Sequence, residues 1–296
     1  MEADELAKWR HAGELARDAL QYGRKLIVAE GAVLSAVTRI EDYVRRNDGG
    51  LAFPVNIATD EEAAHWTPSS RTDRRFAVGE LVKLDVGVEI DGYIGDNALT
   101  VEIDGSRHDK LRAAALKGLE QVIELAAPGV TTGVLGSAVQ ATIEACGLRP
   151  VANLTGHGIK RYDLHSGLSI PSVGGHRGTA LRKDDVIAVE PFATNGAGRV
   201  GGKRNSNIYH LGSPRRVRDS AAAGLLERIR SEFHGLPFAE RWLHAFSDEP
   251  CKPLQRLLRS GAVGFYPVLD ELGHGMVAQA EHTLLLTSGG VEVLTA

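Results

Sequence analysis

LVKLDVGVEIDGYIGDNALTVEI, residues 81–103, is rich in Val, Ile, Leu and Tyr and is interrupted once, at Asp91-Gly92. Two β-prone runs joined by Asp-Gly form a hairpin, because this dipeptide accepts the positive φ angles that match the twist of the flanking strands. With a two-residue turn, Asp85 pairs with Ala98 and Asp96 lies two places along. Side chains alternate with period two, so both acids then point to one face. Moving the turn back by one residue puts them directly opposite, still on one face. Two carboxylates roughly 5 to 8 Å apart on a sheet face repel unless something positive sits between them, and a divalent cation is the simplest answer. A solvated face accounts for this pair equally well, since charged residues are mostly exposed. Asp91 belongs to the turn signature and is read as a turn residue.

On the N-terminal side of the hairpin, residues 4–46 have helical periodicity, and Asn47-Asp48-Gly49-Gly50 ends it. A short strand is expected at Leu51–Ile57. On the C-terminal side, residues 108–127 and 131–146 read as two amphipathic helices separated by Pro128-Gly129, with Gly147 placed for a C-terminal cap. The apolar runs Asp185–Phe192 and Met276–Thr287 read as strands. Residues 213–262 carry helical spacing again, including Leu225, Leu226, Ile229, Trp242, Leu243, Leu254 and Leu257, and are read as a helical insertion between two core strands. The 296 residues make one large domain, long enough to enclose a catalytic site.

Composition narrows the function classes. Hydrophobic residues are 43% and charged residues 24%, with a formal net charge of -4, so no global basic field points to nucleic acid. The basic stretches Arg71–Arg75 and Arg215–Arg218 are short and mixed, and read as solvated surface. Cys146 and Cys251 form no CxxC, which excludes a disulfide framework and a thiolate zinc site. The N-terminus has no apolar core of a signal peptide, and no run of about 18 apolar residues suggests a membrane span. A cytoplasmic location is expected. The glycine-rich segment Asn195–Arg204 is not a phosphate loop, because Ala197 replaces the first required glycine and Arg204 replaces Ser or Thr. It reads as a mobile loop after a strand. No HExxH or GxSxG occurs, which removes two common hydrolase types.

Three further residues join the aspartate pair. His157 is flanked by glycines in Thr155-Gly156-His157-Gly158-Ile159, where the backbone bends and approaches partners closely; alone it reads equally well as a structural histidine. Glu190 ends Val186-Ile187-Ala188-Val189-Glu190, and Glu281 interrupts the apolar run around Val277–Leu286. A carboxylate inside an apolar strand needs a partner or a metal. Four carboxylates and one imidazole suit two cations such as Mn, Fe, Co or Zn, held about 3.5 Å apart by shared carboxylates and a bridging hydroxide.

The order Asp, Asp, His, Glu, Glu resembles that of the pita-bread metallohydrolases: methionine aminopeptidases, Xaa-Pro aminopeptidases and prolidases. Asp85-Val86-Gly87, Asp91-Gly92-Tyr93-Ile94-Gly95-Asp96, Gly156-His157-Gly158-Ile159 and Glu281-His282-Thr283 carry the match, which covers nearly the whole chain. Phe53-Pro54, Ala63-Ala64-His65-Trp66-Thr67-Pro68, Leu164-His165-Ser166-Gly167 and Ile170-Pro171 are most similar to type II methionine aminopeptidases. So is the spacing of 91 positions between Glu190 and Glu281 (281 minus 190). A long N-terminal extension is lacking, as in the short archaeal form.

The resemblance implies an α+β pita-bread fold: a curved antiparallel sheet flanked by helices, with a helical insertion. It implies removal of N-terminal methionine from peptides and nascent polypeptides. The reagent it implies is a hydroxide bridging two divalent cations of Co, Mn, Fe or Zn type. Asp85 would chelate one cation, His157 and Glu190 the other, and Asp96 and Glu281 would bridge. Glu190 would also move protons, His65 would contact substrate near the scissile bond, and His165 would stabilise the tetrahedral intermediate. Phe53, Leu164 and Phe192, with Tyr266 as a looser match, would form the methionine pocket; ordinary core packing explains each of these four equally well. Asn207–His210 does not align with the pocket of eukaryotic relatives. No membrane or specific nucleic acid partner is implied, and a monomer is the working expectation. Two rivals share much of this pattern: a prolidase-like peptidase with the same five ligands, and a non-catalytic binding protein on the same fold. The type II insertion, Phe53 and His65 argue against the first, and the complete ligand set against the second.

Overall fold

The computed structural model describes residues 1–175, 177–213 and 217–296. The hairpin is formed by Leu81–Ile90 and Tyr93–Glu102, in the two-residue register that pairs Ile90 with Tyr93 and Asp85 with Ala98. Asp91 takes φ +53° and Gly92 φ +84°, the left-handed geometry an Asp-Gly turn accepts. Gly50–Leu51 and Asn56–Thr59 extend this sheet by pairing with Leu81–Ile90. The single strand expected at Leu51–Ile57 is therefore two strands. Phe53-Pro54 lies between them, where proline has no N–H for a ladder.

A second sheet has the order Gly290–Val293, His282–Thr287, Val186–Val189, Thr155–Ile159, Ser169–Pro171, all antiparallel. A third joins Val277–Gln279, Phe192–Thr194 and Arg149–Pro150. The runs expected as continuous strands break at the two glutamates. Glu190-Pro191 separates Val186–Val189 from Phe192–Thr194, because Pro191 cannot donate to a ladder. Ala280-Glu281 separates Val277–Gln279 from His282–Thr287, because the Glu281 backbone exchanges hydrogen bonds with Ala98 of the hairpin instead. That exchange joins the sheets.

Two helix pairs flank the strands. α1 (Ala3–Arg24) and α2 (Val33–Arg46) bury Leu15, Ala19, Val37, Ile40 and Val44 against Leu84, Val86 and Val88 of the hairpin. The helical period expected through 4–46 is interrupted at 25–32. There Glu30 takes φ +62° and the Glu30 and Phe76 amides bond the Phe76 and Gly31 carbonyls. α3 (Asp109–Leu125) and α4 (Thr132–Ala145) bury Leu119, Leu135, Val139 and Ile143 against Ile187, Leu284 and Leu286. Gly95 lets α1 lie directly on the hairpin, since a Cβ there would stand 2.5 Å from the Ala12 carbonyl oxygen.

The segment from 205 to 267 has its own core. Strands Asn205–Leu211 and Val263–Pro267 pair at its root, and between them α5 (Ser220–Phe233), a 3₁₀ helix at Glu240–Ala245 and α6 (Cys251–Ser260) bury Leu225, Ile229, Phe238, Leu243 and Leu257 together. It also contains a short strand, Phe238–Ala239, that helical spacing does not show. Arg215 and Arg216 of the second basic stretch lie outside the described residues. The glycine-rich loop expected to be mobile is pinned: the buried Glu271 carboxylate accepts the amides of Gly198, Gly273 and Gly275. No described helix is long and apolar enough to cross a membrane.

Candidate metal centre

The breaks and bridges of the sheets bring five side chains to one place. Asp85 and Asp96 stand diagonally on neighbouring strands, since Asp85 pairs with Ala98 and Asp96 with Gly87. The Asp96 amide donates to Thr283 Oγ1 at 2.8 Å, and that hydroxyl donates to the Asp96 carbonyl at 2.8 Å. The bridge from Ala98 to Glu281 sets the second glutamate beside both aspartates. His157 pairs with Ala188, two residues before Glu190. His157 Nε2 lies 3.6 Å from Asp96 Oδ2 and 3.7 Å from Glu190 Oε1. Asp96, His157 and Glu281 each offer a ligand atom within 4.8 Å of the others.

Electrostatics makes this arrangement costly by itself. Burial pushes the Asp85 carboxyl up to about 7. Burial, then the neighbouring carboxylates, push Asp96, Glu190 and Glu281 well above the usual range. Burial lowers His157 to about 3, so the ring is neutral and its nitrogen lone pair is free to ligate. Among the described residues, no Lys or Arg pairs with any of the four acids; their ion contacts are with His157 alone. Gln279 Nε2 donates to Glu281 Oε2 at 3.2 Å, which orients that acid without adding charge. Asp85 Oδ1 and Asp96 Oδ1 are buried with no partner. Clustered, orphaned carboxylate oxygens with one neutral imidazole fit the donor set of divalent cations.

A cavity opens over the five residues. Phe53, Leu164 and Tyr266 line it together with His65 and His165. The His157 and His165 rings are 4.4 Å apart, and Tyr266 stands 5.2 Å from His65 and 6.3 Å from His165. Burial lowers His65 to about 4 and lowers His165 as well, so both rings are neutral near pH 7. Gly87 lets Phe53 lie flat on the hairpin, since a Cβ there would stand 2.2 Å from the ring. Phe192, expected in the pocket, is not among the lining residues: it packs with Ala63, Val151, Val200 and Val277 in a separate cluster. The chain turns at Pro191, one residue after Glu190, and carries Phe192 into another sheet.

Sequence reasoning missed Asn56, Ile208 and Pro237 in the cavity wall and Gln279 beneath the carboxylates. Ile208 lies within Asn207–His210, the segment without a clear alignment, and pairing of 205–211 with 263–267 is what brings it near Tyr266. Gln279 was readable in principle, as a polar residue at the buried end of an apolar strand.

Comparison with known proteins agrees with this geometry. The profile of metallopeptidase family M24 matches residues 7–288. The methionine aminopeptidase of Pyrococcus horikoshii is 40% identical over 298 residues, covering 100% of each chain. The structure of a thermophilic Arx1 superposes with a TM-score of 0.88 at 16% identity, covering 99% of this chain and 91% of that one. The crystal structure of a methionine aminopeptidase from Thermotoga maritima gives a TM-score of 0.73 at 23% identity, covering 100% and 98%. At such identities the structural likeness establishes the fold, the pita-bread architecture, and leaves the activity to the residues.

Proposed function

The chain belongs to metallopeptidase family M24, and from that membership we propose that it removes N-terminal methionine from polypeptides with Asp85, Asp96, His157, Glu190 and Glu281 as metal ligands. It is a metal-dependent aminopeptidase. The observation that carries the reading is the convergence of four carboxylates, Asp96 and Glu281 buried and Asp85 and Glu190 part-buried, and a neutral imidazole, with no Lys or Arg among the described residues to pair them, under a cavity walled by Phe53, Leu164 and Tyr266. The five residues would hold divalent cations of Co, Mn, Fe or Zn type, two by this reading, with Asp96 and Glu281 contributing to both.

Divalent cations held there would supply hydroxide near neutral pH and Lewis-acid polarisation of the scissile carbonyl. Glu190 lines the cavity, where it would take a proton from the attacking water and return it to the leaving amine. His165 lies against His157 at the edge of the centre and, being neutral, keeps one ring N–H to donate to the oxygen where negative charge develops. His65, held at φ +61° and packed on Tyr266, faces the substrate backbone near the scissile bond. Phe53, Leu164 and Tyr266 enclose the methionine side chain, and Asn56, Ile208 and Pro237 complete the wall. Residues 1–296 act as one catalytic unit with 213–262 as an insertion, working as a monomer on nascent chains in the cytoplasm.

Turnover of Met-Ala-Ser against Xaa-Pro peptides, at matched metal loading, tests this reading. Release of methionine from Met-Ala-Ser with no cleavage before proline is expected. Preference for Xaa-Pro refutes the methionine assignment, and metal uptake without turnover of either refutes the enzyme.

A further inference from the structure

A buried ion pair fastens the 205–267 segment to the segments that carry two cavity walls. Glu41 of α2 is 2% exposed, and its carboxylate accepts from Arg241 Nη2, from Trp242 Nε1 at 2.8 Å and from the Val55 amide at 3.4 Å. Arg241 and Trp242 belong to the 3₁₀ helix Glu240–Ala245. The other end of the same guanidinium reaches the loop after His65: Arg241 Nη1 donates to Thr67 Oγ1 at 3.0 Å and to the Pro68 carbonyl at 2.8 Å. Thr67 is fully buried and is held on three further sides. Its hydroxyl donates to the Val55 carbonyl at 2.7 Å, its amide to the Ser206 carbonyl at 3.1 Å, and its carbonyl accepts from Asn207 Nδ2 at 2.9 Å. Thr67 is two residues from His65, and Val55 is two residues from Phe53.

We infer that Arg241 is a positioning residue: with Glu41 and Thr67 it forms a latch that sets the His65 and Phe53 segments against the rest of the cavity. The catalytic consequence rests on the aminopeptidase reading; the mechanical one does not. The choice of residues supports a geometric role. A buried ion pair adds little net stability over an apolar pair of equal volume, whereas a planar fork fixes several acceptors at defined angles. Arg241 uses its fork on three acceptors from two segments that an apolar side chain would leave unaligned. His65 needs such support, because its φ of +61° is a conformation a histidine seldom keeps unaided.

The test uses the double variant Glu41→Met/Arg241→Met, which removes both charges together so that neither is left buried alone, and Thr67→Val, which removes the hydroxyl and keeps the pair. Should the double variant fail to fold, Thr67→Val decides the question by the same readings. Amide hydrogen exchange is expected to quicken at least about tenfold across 62–70 while 81–103 stays protected. With Met-Ala-Ser, kcat/KM is expected to fall about 10- to 10²-fold at an unchanged melting temperature, the order that a small misplacement costs. Made in a His65→Ala background, the same change is expected to cost clearly less activity than in the wild type, since only its effect through the Phe53 segment remains. Unchanged exchange at 62–70, wild-type kcat/KM, or an equal loss in the His65→Ala background each overturns the latch. A wild-type protein inert on Met-Ala-Ser refutes the functional reading instead, and the exchange measurement still decides the latch.

Discussion

Replacing Asp85 by asparagine is expected to stabilise the metal-free protein at high pH and to leave it unchanged at low pH. The carboxyl is raised from 3.8 to about 7, first by burial, and Asp85 is paired with no cation. A group whose folded value is raised contributes its full stability below the unfolded value and loses it as pH climbs through the folded one. The window therefore runs from about pH 4, where the side chain ionises in the unfolded chain, to about pH 7, where it ionises in the folded one. The gap is about three pH units, and at about 1.4 kcal/mol each the wild type gives up about 4 kcal/mol across it. Asparagine has the same shape, still accepts a hydrogen bond and never ionises. For a chain of this size about 2 °C accompanies each kcal/mol, so the metal-stripped variant is expected to melt about 8 °C above the wild type at pH 8 and level with it near pH 3. Differential scanning calorimetry of both proteins after chelation, at five pH values, measures this. Taking the difference at each pH cancels acid effects elsewhere in the chain. An offset that stays constant with pH, or a variant less stable at pH 8, refutes the claim that Asp85 is a buried, uncompensated carboxylate. Divalent metal is expected to narrow the gap at pH 8 from about 4 to about 1 kcal/mol, since ligand at about a hundred times its dissociation constant adds about 2.7 kcal/mol to the wild type alone.

Other consequences follow from the same geometry. Glu190→Gln is expected to slow methionine release about 10²- to 10⁴-fold, and full turnover with metal bound removes Glu190 from proton transfer. His165→Ala is expected to lower kcat about 10²- to 10³-fold with little change in KM, and a change confined to KM contradicts its placement at the developing oxyanion. Gly95→Ala drives a Cβ to 2.5 Å from the Ala12 carbonyl oxygen. About 1–3 kcal/mol of destabilisation is expected, read as a fall of about 2–6 °C in Tm, and an unaltered Tm contradicts the direct seating of α1 on the hairpin.

The hairpin was legible because turn chemistry and alternation are local: Asp91-Gly92 set the register, and the register set Asp85 and Asp96 on one face. The pair α3 and α4 was legible from its period and from Pro128-Gly129, whereas the break at 25–32 that divides α1 from α2 was not. What local patterns could not show is where strands break to change partners. Glu281 leaves its strand to pair with Ala98, a contact between residues 183 positions apart (281 minus 98). The break at Pro191 sends Phe192 away from the cavity that Glu190 faces. Ile208 and Pro237 reach the wall through a segment whose helical spacing says nothing of how it docks. Arg241 and Glu41 read as ordinary charged residues until the fold buries them against each other. Family resemblance supplied the division of ligands, which spacing alone left open at His157.

Anomalous scattering from crystals grown with Mn²⁺ tests the central claim most directly. Two peaks are expected, both within ligand distance of the set Asp85, Asp96, His157, Glu190 and Glu281, with Asp96 and Glu281 touching each. Peaks elsewhere, or none in a protein that still releases methionine, contradict it.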